Sequence, residues 1–273
     1  MIRPALLAAC LALSSAAAFS QASPVEVRQV GSARLENVPE IPVEVREGVQ
    51  RYQNYREARF QGWLPDGSML ITTRFGATAQ VHRVAAPGTA RVQLTFSDEP
   101  VAGARAIPGA ERFVFTRDTG GDEWFQLYAR GLAGGSVALT EPGTRNQALI
   151  FSRDGRVAAW SRAVRGSGDY AIIVADPADP SSSRIAWQGT GAVYPSDISD
   201  DGRRLLVTRS VSNRESRLLL LDLESGGARE LAWSAAPAAR WEEARFARDG
   251  RSVLAITNLG SNFRRLVEVE LDS

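Results

Sequence analysis

Short apolar runs alternate with polar turns along most of this chain, and the turns recur at a nearly constant distance. The turn glycines are separated by 42, 46, 47 and 48 residues, and they are Gly67, Gly109, Gly155, Gly202 and Gly250. Asp precedes four of them, and Pro108 precedes the second. Asp-Gly favours the positive φ angles of hairpin turns. The pattern therefore predicts repeated units of short antiparallel strands.

A repeat of this length, filled with short strands, is typical of the blades of a β-propeller. We therefore predict an all-β fold, a β-propeller of about five four-stranded blades. The predicted blades lie near residues 56–98, 99–143, 144–190, 191–236 and 237–273. The predicted strand Leu266–Leu271 is the third of the last blade and is followed only by Asp272 and Ser273. We expect a truncated last blade and an incomplete or open propeller.

The first 55 residues lack this repeat. Residues 1–22 resemble a secretory signal peptide, because Arg3 precedes the apolar stretch Ala5–Phe19. Small residues before Ser23 suit a cleavage site, while Cys10 leaves lipidation as an alternative. The leader predicts an exported protein, periplasmic or secreted, with no membrane segment beyond it.

Residues 23–55 form the predicted N-terminal arm. It is polar, contains proline and has little periodicity up to about Pro42. The apolar spacing of Val43–Tyr55 fits either a short helix or an extended lead-in to the first blade.

Composition excludes several classes of function. The formal net charge is +1, so no global field favours nucleic acid. None of the 32 basic residues is Lys, and Arg suits bidentate recognition of carboxylates. Cys10 is the single cysteine, so a mature chain starting near Ser23 has no disulfide. We predict neither a metal nor a cofactor, since no ligand or phosphate-binding motif is present.

After each turn glycine comes an apolar run, and in four of the units this run ends with Ser or Thr followed by Arg. This pair places an Arg at matching positions of four blades, namely Arg74, Arg117, Arg162 and Arg209. Equivalent positions of successive blades share one face, so we expect an arc of guanidinium groups at one rim. Charged residues of nearby loops join it, and they are Asp118, Asp122, Glu123, Arg165, Asp169, Arg214, Glu215, Arg264 and Arg265.

Two interpretations of this rim stay open. It docks substrate or a partner through anionic groups, with Arg74, Arg117, Arg162, Arg209, Asp122 and Glu123 as the candidate residues. Alternatively, each Arg is a product of repeat duplication and pairs with an acid of a neighbouring blade. His82, the single histidine, lies inside a predicted strand. A structural role fits it better than a general base, because a triad needs further members.

Several stretches resemble the N-terminal propeller of the prolyl oligopeptidase family of serine peptidases, in its acylaminoacyl- and dipeptidyl-peptidase-like branch. The stretches are Tyr52–Ala58, Gln61–Gly67, Thr73–Gly76, Gln80–Val84, Gln93–Phe96, Arg117–Glu123 and Phe125–Tyr128. The turns Ser152–Gly155 and Ser199–Gly202 also resemble the blades of TolB-like periplasmic propellers.

The resemblance implies a propeller that precedes an α/β-hydrolase domain with a Ser-Asp-His triad. The sequence contains no G-x-S-x-G nucleophile motif, so no catalytic residue is assigned and the chain alone is expected to be inactive. The implied function is a non-catalytic propeller portion that gates or docks peptide substrates beside a hydrolase domain. The alternatives are a free-standing TolB-like protein-interaction propeller and, with less support, a small-molecule or sugar-processing propeller that uses His82 and acidic residues of a pocket.

Overall fold

The computed structural model describes residues 25–236 and 238–272. The predicted signal peptide, residues 1–22, lies outside the described residues. β-strands make up most of the described chain, with α1 (Val43–Gln53) and a short 3₁₀ helix (Ala232–Ser234) beside them. The strands form one hairpin and five antiparallel sheets in chain order.

The hairpin and the first two sheets occupy the N-terminal half. The hairpin consists of β1 (Val27–Val30) and β2 (Ala33–Glu36). Sheet one contains β3 (Arg59–Trp63), β4 (Met69–Thr73), β5 (Gln80–Val84) and β6 (Arg91–Gln93). Sheet two contains β7 (Gly103–Ala106), β8 (Arg112–Arg117), β9 (Gln126–Gly131) and β10 (Ser136–Ala138).

Three sheets follow in the same up-and-down order. Sheet three contains β11 (Thr144–Phe151), β12 (Ala158–Val164), β13 (Asp169–Asp176) and β14 (Asp179–Thr190). Sheet four contains β15 (Val193–Ile198), β16 (Arg204–Ser212), β17 (Glu215–Asp222) and β18 (Ala228–Glu230). Sheet five contains β19 (Trp241–Phe246), β20 (Ser252–Thr257) and β21 (Arg265–Glu270).

The N-terminal segment is more ordered than its sequence pattern indicates. Gly31 takes a φ of +57° at the turn between β1 and β2, a conformation that glycine adopts without a Cβ clash. The Ser32 amide donates to the Gly120 carbonyl at 2.8 Å, which joins this hairpin to sheet two. Of the two alternatives for Val43–Tyr55, the structure shows the helix, which is α1. None of the α1 side chains is buried.

The predicted turns connect the first and second strands of every sheet. All five turn glycines have positive φ angles between +65° and +78°. In sheet four the Ser199 hydroxyl donates to Asp201 Oδ1 at 2.5 Å and accepts the Arg204 amide at 2.9 Å. The Ser199 amide also donates to the Arg204 carbonyl, so these loops are longer than two-residue hairpin turns.

Four apolar clusters hold the sheets together, one at each interface between consecutive sheets. Leu70 and Phe113 lie in the cluster between sheets one and two, and Trp160 lies in that between sheets two and three. Leu205 lies in the cluster between sheets three and four, and Leu218 lies in that between sheets four and five. In the part of the chain that the structure describes, no apolar cluster joins sheet five to sheet one. The molecule is an open β-propeller, as predicted, and its last sheet has three strands.

The first strand of each sheet lies on the inner side of the open propeller, next to the first strand of the neighbouring sheet. The Ala104 amide of β7 donates to Gln61 Oε1 of β3 at 2.9 Å, and the Phe246 amide of β19 donates to Asp197 Oδ2 of β15 at 2.8 Å. Four of these five strands carry a register shift typical of a β-bulge. A bulge bends its strand and increases the local twist.

Candidate docking surface

The four repeated Arg residues lie near the ends of the second strands, away from the glycine turns. Arg74 follows β4, Arg117 ends β8, and Arg162 and Arg209 lie in β12 and β16. All four side chains are half-buried. Each guanidinium has its own local environment, and no hydrogen bond of the described chain joins one of these Arg residues to another.

Two of these residues attach neighbouring segments to the sheets. The Arg74 guanidinium donates to the Gln53 carbonyl at the end of α1. The Arg117 guanidinium donates to Ser97 Oγ at 2.9 Å, in the loop that leads from sheet one to sheet two. Arg117 also lies 4.8 Å from the ring centroid of Tyr128. Both residues therefore have structural contacts that the docking interpretation does not require.

Arg209 takes part in an ion-pair chain within sheet four. Its guanidinium donates to Glu230 Oε2 at 2.8 Å, and Arg217 donates to Glu230 Oε1 at 3.1 Å and to Glu215 Oε1 at 3.0 Å. The hydrogen bond from Arg217 lowers the pKa of Glu215. The acid that pairs with Arg209 thus comes from the same sheet, whereas repeat duplication was expected to supply it from a neighbouring blade.

Arg162 differs from the other three. It lies in β12 opposite Asn146 on β11 and Ala171 on β13. Its Nε is buried without a hydrogen-bond acceptor, and the described residues give its guanidinium no ion pair. A half-buried guanidinium without an acceptor is suited to bind an anionic group of a ligand.

Asp122 and Glu123 lie in the loop between β8 and β9 and contact sheet three. Asp122 Oδ2 pairs with Arg165 at 3.3 Å, and that guanidinium lies 4.1 Å from the Trp124 ring centroid. Glu123 Oε2 is 4.0 Å from an Arg145 guanidinium nitrogen. These contacts form a charged bridge between sheets two and three.

Arg145 is part of this bridge and is not among the residues predicted from the sequence. The first residues of β11 are Thr144, Arg145, Asn146 and Gln147, which carry no alternation of apolar and polar side chains. A strand that begins with such a run gives no periodic signal.

Open clefts border sheets one to three. One of about 500 Å³ borders Arg74 and is also lined by Gln53, Tyr55 and Arg59. Another of about 480 Å³ lies on the inner side of sheets one to three. Its walls include Phe60, Gln61, Gly103, Arg105 and Ala148. Both clefts have mixed polar and apolar walls that an extended peptide segment can contact.

His82 is buried in sheet one rather than exposed in a cleft. Its side chain is 1% exposed, and Nδ1 lies 2.9 Å from the Gln80 carbonyl oxygen, to which it donates. Nε2 has no hydrogen-bond partner in the described chain. Burial lowers the pKa of His82, so the neutral imidazole is favoured. This environment supports the structural interpretation of the residue.

Residues 25–236 and 238–272 contain no group of three or more His, Cys, Asp or Glu side chains that could hold a metal ion. Over the same residues, no helix combines the length and apolar character needed to cross a bilayer.

Comparisons with known proteins identify the fold. No family model and no curated protein matches the chain. Prolyl oligopeptidase B from Galerina marginata aligns with 92% of this chain at a TM-score of 0.63 and 14% identity. This chain covers 45% of that enzyme. Oligogalacturonate lyase from Vibrio parahaemolyticus aligns with 79% of this chain and 63% of its own length, with a TM-score of 0.61 and 12% identity.

TolB from Acinetobacter baumannii is also similar in fold. It aligns with 91% of this chain and 66% of its own length, with a TM-score of 0.51 and 12% identity. At these identities the likeness establishes the fold, and the chain spans less than half of the prolyl oligopeptidase. The fold is therefore a β-propeller, and it is similar to prolyl oligopeptidase and TolB propellers, as the sequence stretches predicted.

Proposed function

We propose that this chain is the non-catalytic propeller portion of an exported serine peptidase of the prolyl oligopeptidase type, and that it gates or docks peptide substrates. The observation that carries the proposal is the alignment of 92% of the chain with a prolyl oligopeptidase. That enzyme binds a 25mer macrocyclization substrate. The sequence stretches that resemble this family support the same assignment.

The proposed docking surface is the arc of half-buried Arg residues with the charged bridge between sheets two and three. Arg162 is the best candidate to bind a peptide carboxylate, because its guanidinium has no acceptor among the described residues. Arg74, Arg117 and Arg209 hold their own segments in place and frame the surface. A hydrolase domain is the proposed partner, and the peptide is the proposed substrate.

A binding experiment tests the docking role. A fluorescein-labelled, proline-containing peptide with a free C-terminal carboxylate is titrated with the purified chain, and anisotropy is measured. We expect Arg162→Met to weaken binding about tenfold, as the loss of a charge-assisted hydrogen bond would. Arg156→Met is the matched control, because the Arg156 side chain is 86% exposed in a turn.

Equal affinity of the Arg162 variant and the control would contradict the docking assignment, as would equal affinity for the C-terminally amidated peptide. Turnover of a chromogenic peptide by the purified chain would contradict the non-catalytic role. Export is tested separately, by fusing residues 1–22 to a reporter enzyme that becomes active only outside the cytoplasm.

The second candidate is a free-standing TolB-like propeller that binds a periplasmic protein. The alignment of 91% of the chain with TolB favours it, together with the Ser-x-Asp-Gly turns. Recovery of one stoichiometric partner from periplasmic extract, combined with no peptide affinity, would favour this function over the first.

A further inference from the structure

The N-terminal arm is attached to the sheets by few contacts. Its described part, residues 25–55, is half-buried or exposed, and none of these residues is buried. Within the described chain, one hydrogen bond to the sheets runs from the Ser32 amide to the Gly120 carbonyl at 2.8 Å. The other runs from the Arg74 guanidinium to the Gln53 carbonyl. Segments with few buried contacts and few hydrogen bonds are those that open locally in a folded protein.

The contact of the arm with the loop between β8 and β9 depends on two glycines that face each other. A Cβ on Gly31 would lie 2.6 Å from the Gly120 carbonyl oxygen, which is the atom that accepts the Ser32 amide. A Cβ on Gly120 would lie 3.4 Å from the Ser32 nitrogen. Both glycines also have positive φ angles. The chain therefore has, on both sides of this contact, the residue that a close approach of two backbones requires.

Glu99 fixes the loop that receives the arm. Its Oε1 accepts the Gly120 amide at 2.8 Å, so the amide and the carbonyl of Gly120 both have partners. Glu99 lies in the linker between β6 and β7, and its own carbonyl accepts Gln80 Nε2 at 3.0 Å. Because Gln80 belongs to β5, the arm is attached to a loop that is itself bonded to sheet one through this linker.

Both attachments of the arm lie next to the cleft of about 500 Å³ that borders Arg74. Gln53 and Tyr55 of the arm line this cleft. Its lining also includes residues 100–102, which directly follow Glu99. The Arg74 guanidinium belongs to the same lining and donates to the Gln53 carbonyl. The arm therefore borders the cleft and gives its arginine an internal acceptor.

We propose that the N-terminal arm is a hinged cover of this cleft, held closed by the contact of Gly31 with Gly120. The hinge is residues 54–58, which are exposed, have no regular secondary structure and lead into β3. In the closed state the Gln53 carbonyl occupies the Arg74 guanidinium. In the open state that guanidinium is available to an anionic group that enters the cleft. The cover controls access alone, so the proposal stands independently of the peptidase assignment.

The test measures how fast a cysteine in the cleft reacts with a polyethylene glycol maleimide. Ala79→Cys places the thiol there, because Ala79 is a half-buried residue of the cleft lining, and Cys10→Ala removes the single native cysteine. Gly31→Ala should raise the labelling rate about fivefold to tenfold, because its Cβ would displace the acceptor of the closing hydrogen bond. Gly88→Ala is the matched control, since Gly88 also has a positive φ and a Cβ there meets nothing within 4 Å.

A second variant and a reference cysteine separate opening of the arm from unfolding of the protein. Arg74→Met removes the other attachment and should also raise the labelling rate at Ala79→Cys, and the double variant with Gly31→Ala should exceed either change alone. Ala159→Cys is buried between sheets three and four, so its labelling reports global unfolding and should keep its rate. Equal labelling rates in the Gly31→Ala and Gly88→Ala proteins would overturn the proposal. An equal increase at the reference cysteine would overturn it as well.

Discussion

The interior sheets and the last sheet use equivalent residues in different environments. Val81, Leu127, Ile172 and Leu218 occupy the same third-strand position, opposite Thr72, Thr116, Ser161 and Thr208, and are at most 1% exposed. Leu266 holds this position in sheet five, because it lies five residues before Leu271, whose amide donates to Arg251 as that of Leu223 donates to Arg203. Leu266 is 70% exposed. The side chains are all aliphatic, so the strand sequence does not explain the difference. A following sheet covers the first four residues, and none of the described sheets covers Leu266. In a repeat fold, the neighbour decides how much one position contributes to stability.

The largest expected effect tests this difference directly. Leu218→Ala should destabilise the fold by about 4 kcal/mol, because it opens a cavity in the cluster between sheets four and five. Leu266→Ala should change the free energy of unfolding by less than about 0.5 kcal/mol. Urea denaturation of both variants measures the two values. Similar losses for both would show that Leu266 is buried in solution.

A glycine pair sharpens the contrast between packed and open positions. A Cβ on Gly155 would lie 2.2 Å from the Pro108 carbonyl oxygen of sheet two, whereas a Cβ on Gly67 meets nothing within 4 Å. Both residues have positive φ angles. We expect Gly67→Ala to cost about 1 kcal/mol and Gly155→Ala about 3 kcal/mol, because only the latter must also displace backbone. Equal shifts in thermal midpoint would contradict the close contact.

The turn aspartates should contribute less to the free energy of unfolding than these core positions. Their contributions should be similar in an interior sheet and in the last sheet. Asp201 accepts Ser199 Oγ and the Arg203 amide, and Asp249 accepts the amides of Arg251 and Ser252. Asp201→Ala and Asp249→Ala should each cost about 1 kcal/mol, since each loses local turn contacts. Chemical denaturation measures both. A loss close to the whole folding free energy would mean that one turn controls the assembly of the sheets.

The smallest effect concerns His82 at the outer face of sheet one. Burial lowers its folded pKa below the ordinary value of 6.5, so the unfolded chain binds the proton more readily. Stability should therefore fall as the pH drops through about 6.5, by at most about 1.4 kcal/mol per pH unit. His82→Leu should abolish this slope, because His82 is the single histidine. Thermal midpoints between about pH 7.5 and pH 5.5 provide the measurement, and an unchanged slope in the variant would reject the assignment.

Some elements could not be predicted from local patterns. The first strands of sheets two and four, Gly103–Ala106 and Val193–Ile198, were not recognised. The first is short, and the second contains Pro195, which a strand tolerates only where its amide is not needed for pairing. The β1–β2 hairpin was missed as well, because its side chains are mostly exposed and give no periodic burial signal.

The candidate site was predicted only as a set of equivalent positions. The sequence placed Arg74, Arg117, Arg162 and Arg209 near the ends of second strands, because a repeat gives equivalent residues equivalent places. It did not distinguish Arg209, whose acceptor Glu230 lies in the same sheet, from Arg162, whose guanidinium has no ion pair among the described residues. Those partners come from strands distant in sequence, so only their packing identifies them.

The sequence by itself determined the repeat, because turn glycines with positive φ and apolar runs of strand length are local features of the chain. The tertiary structure decided which repeated side chains are buried, as Leu218 is and Leu266 is not, and which guanidinium groups have acceptors. These properties depend on contacts between sheets, and the chain encodes such contacts only through the way its repeats stack.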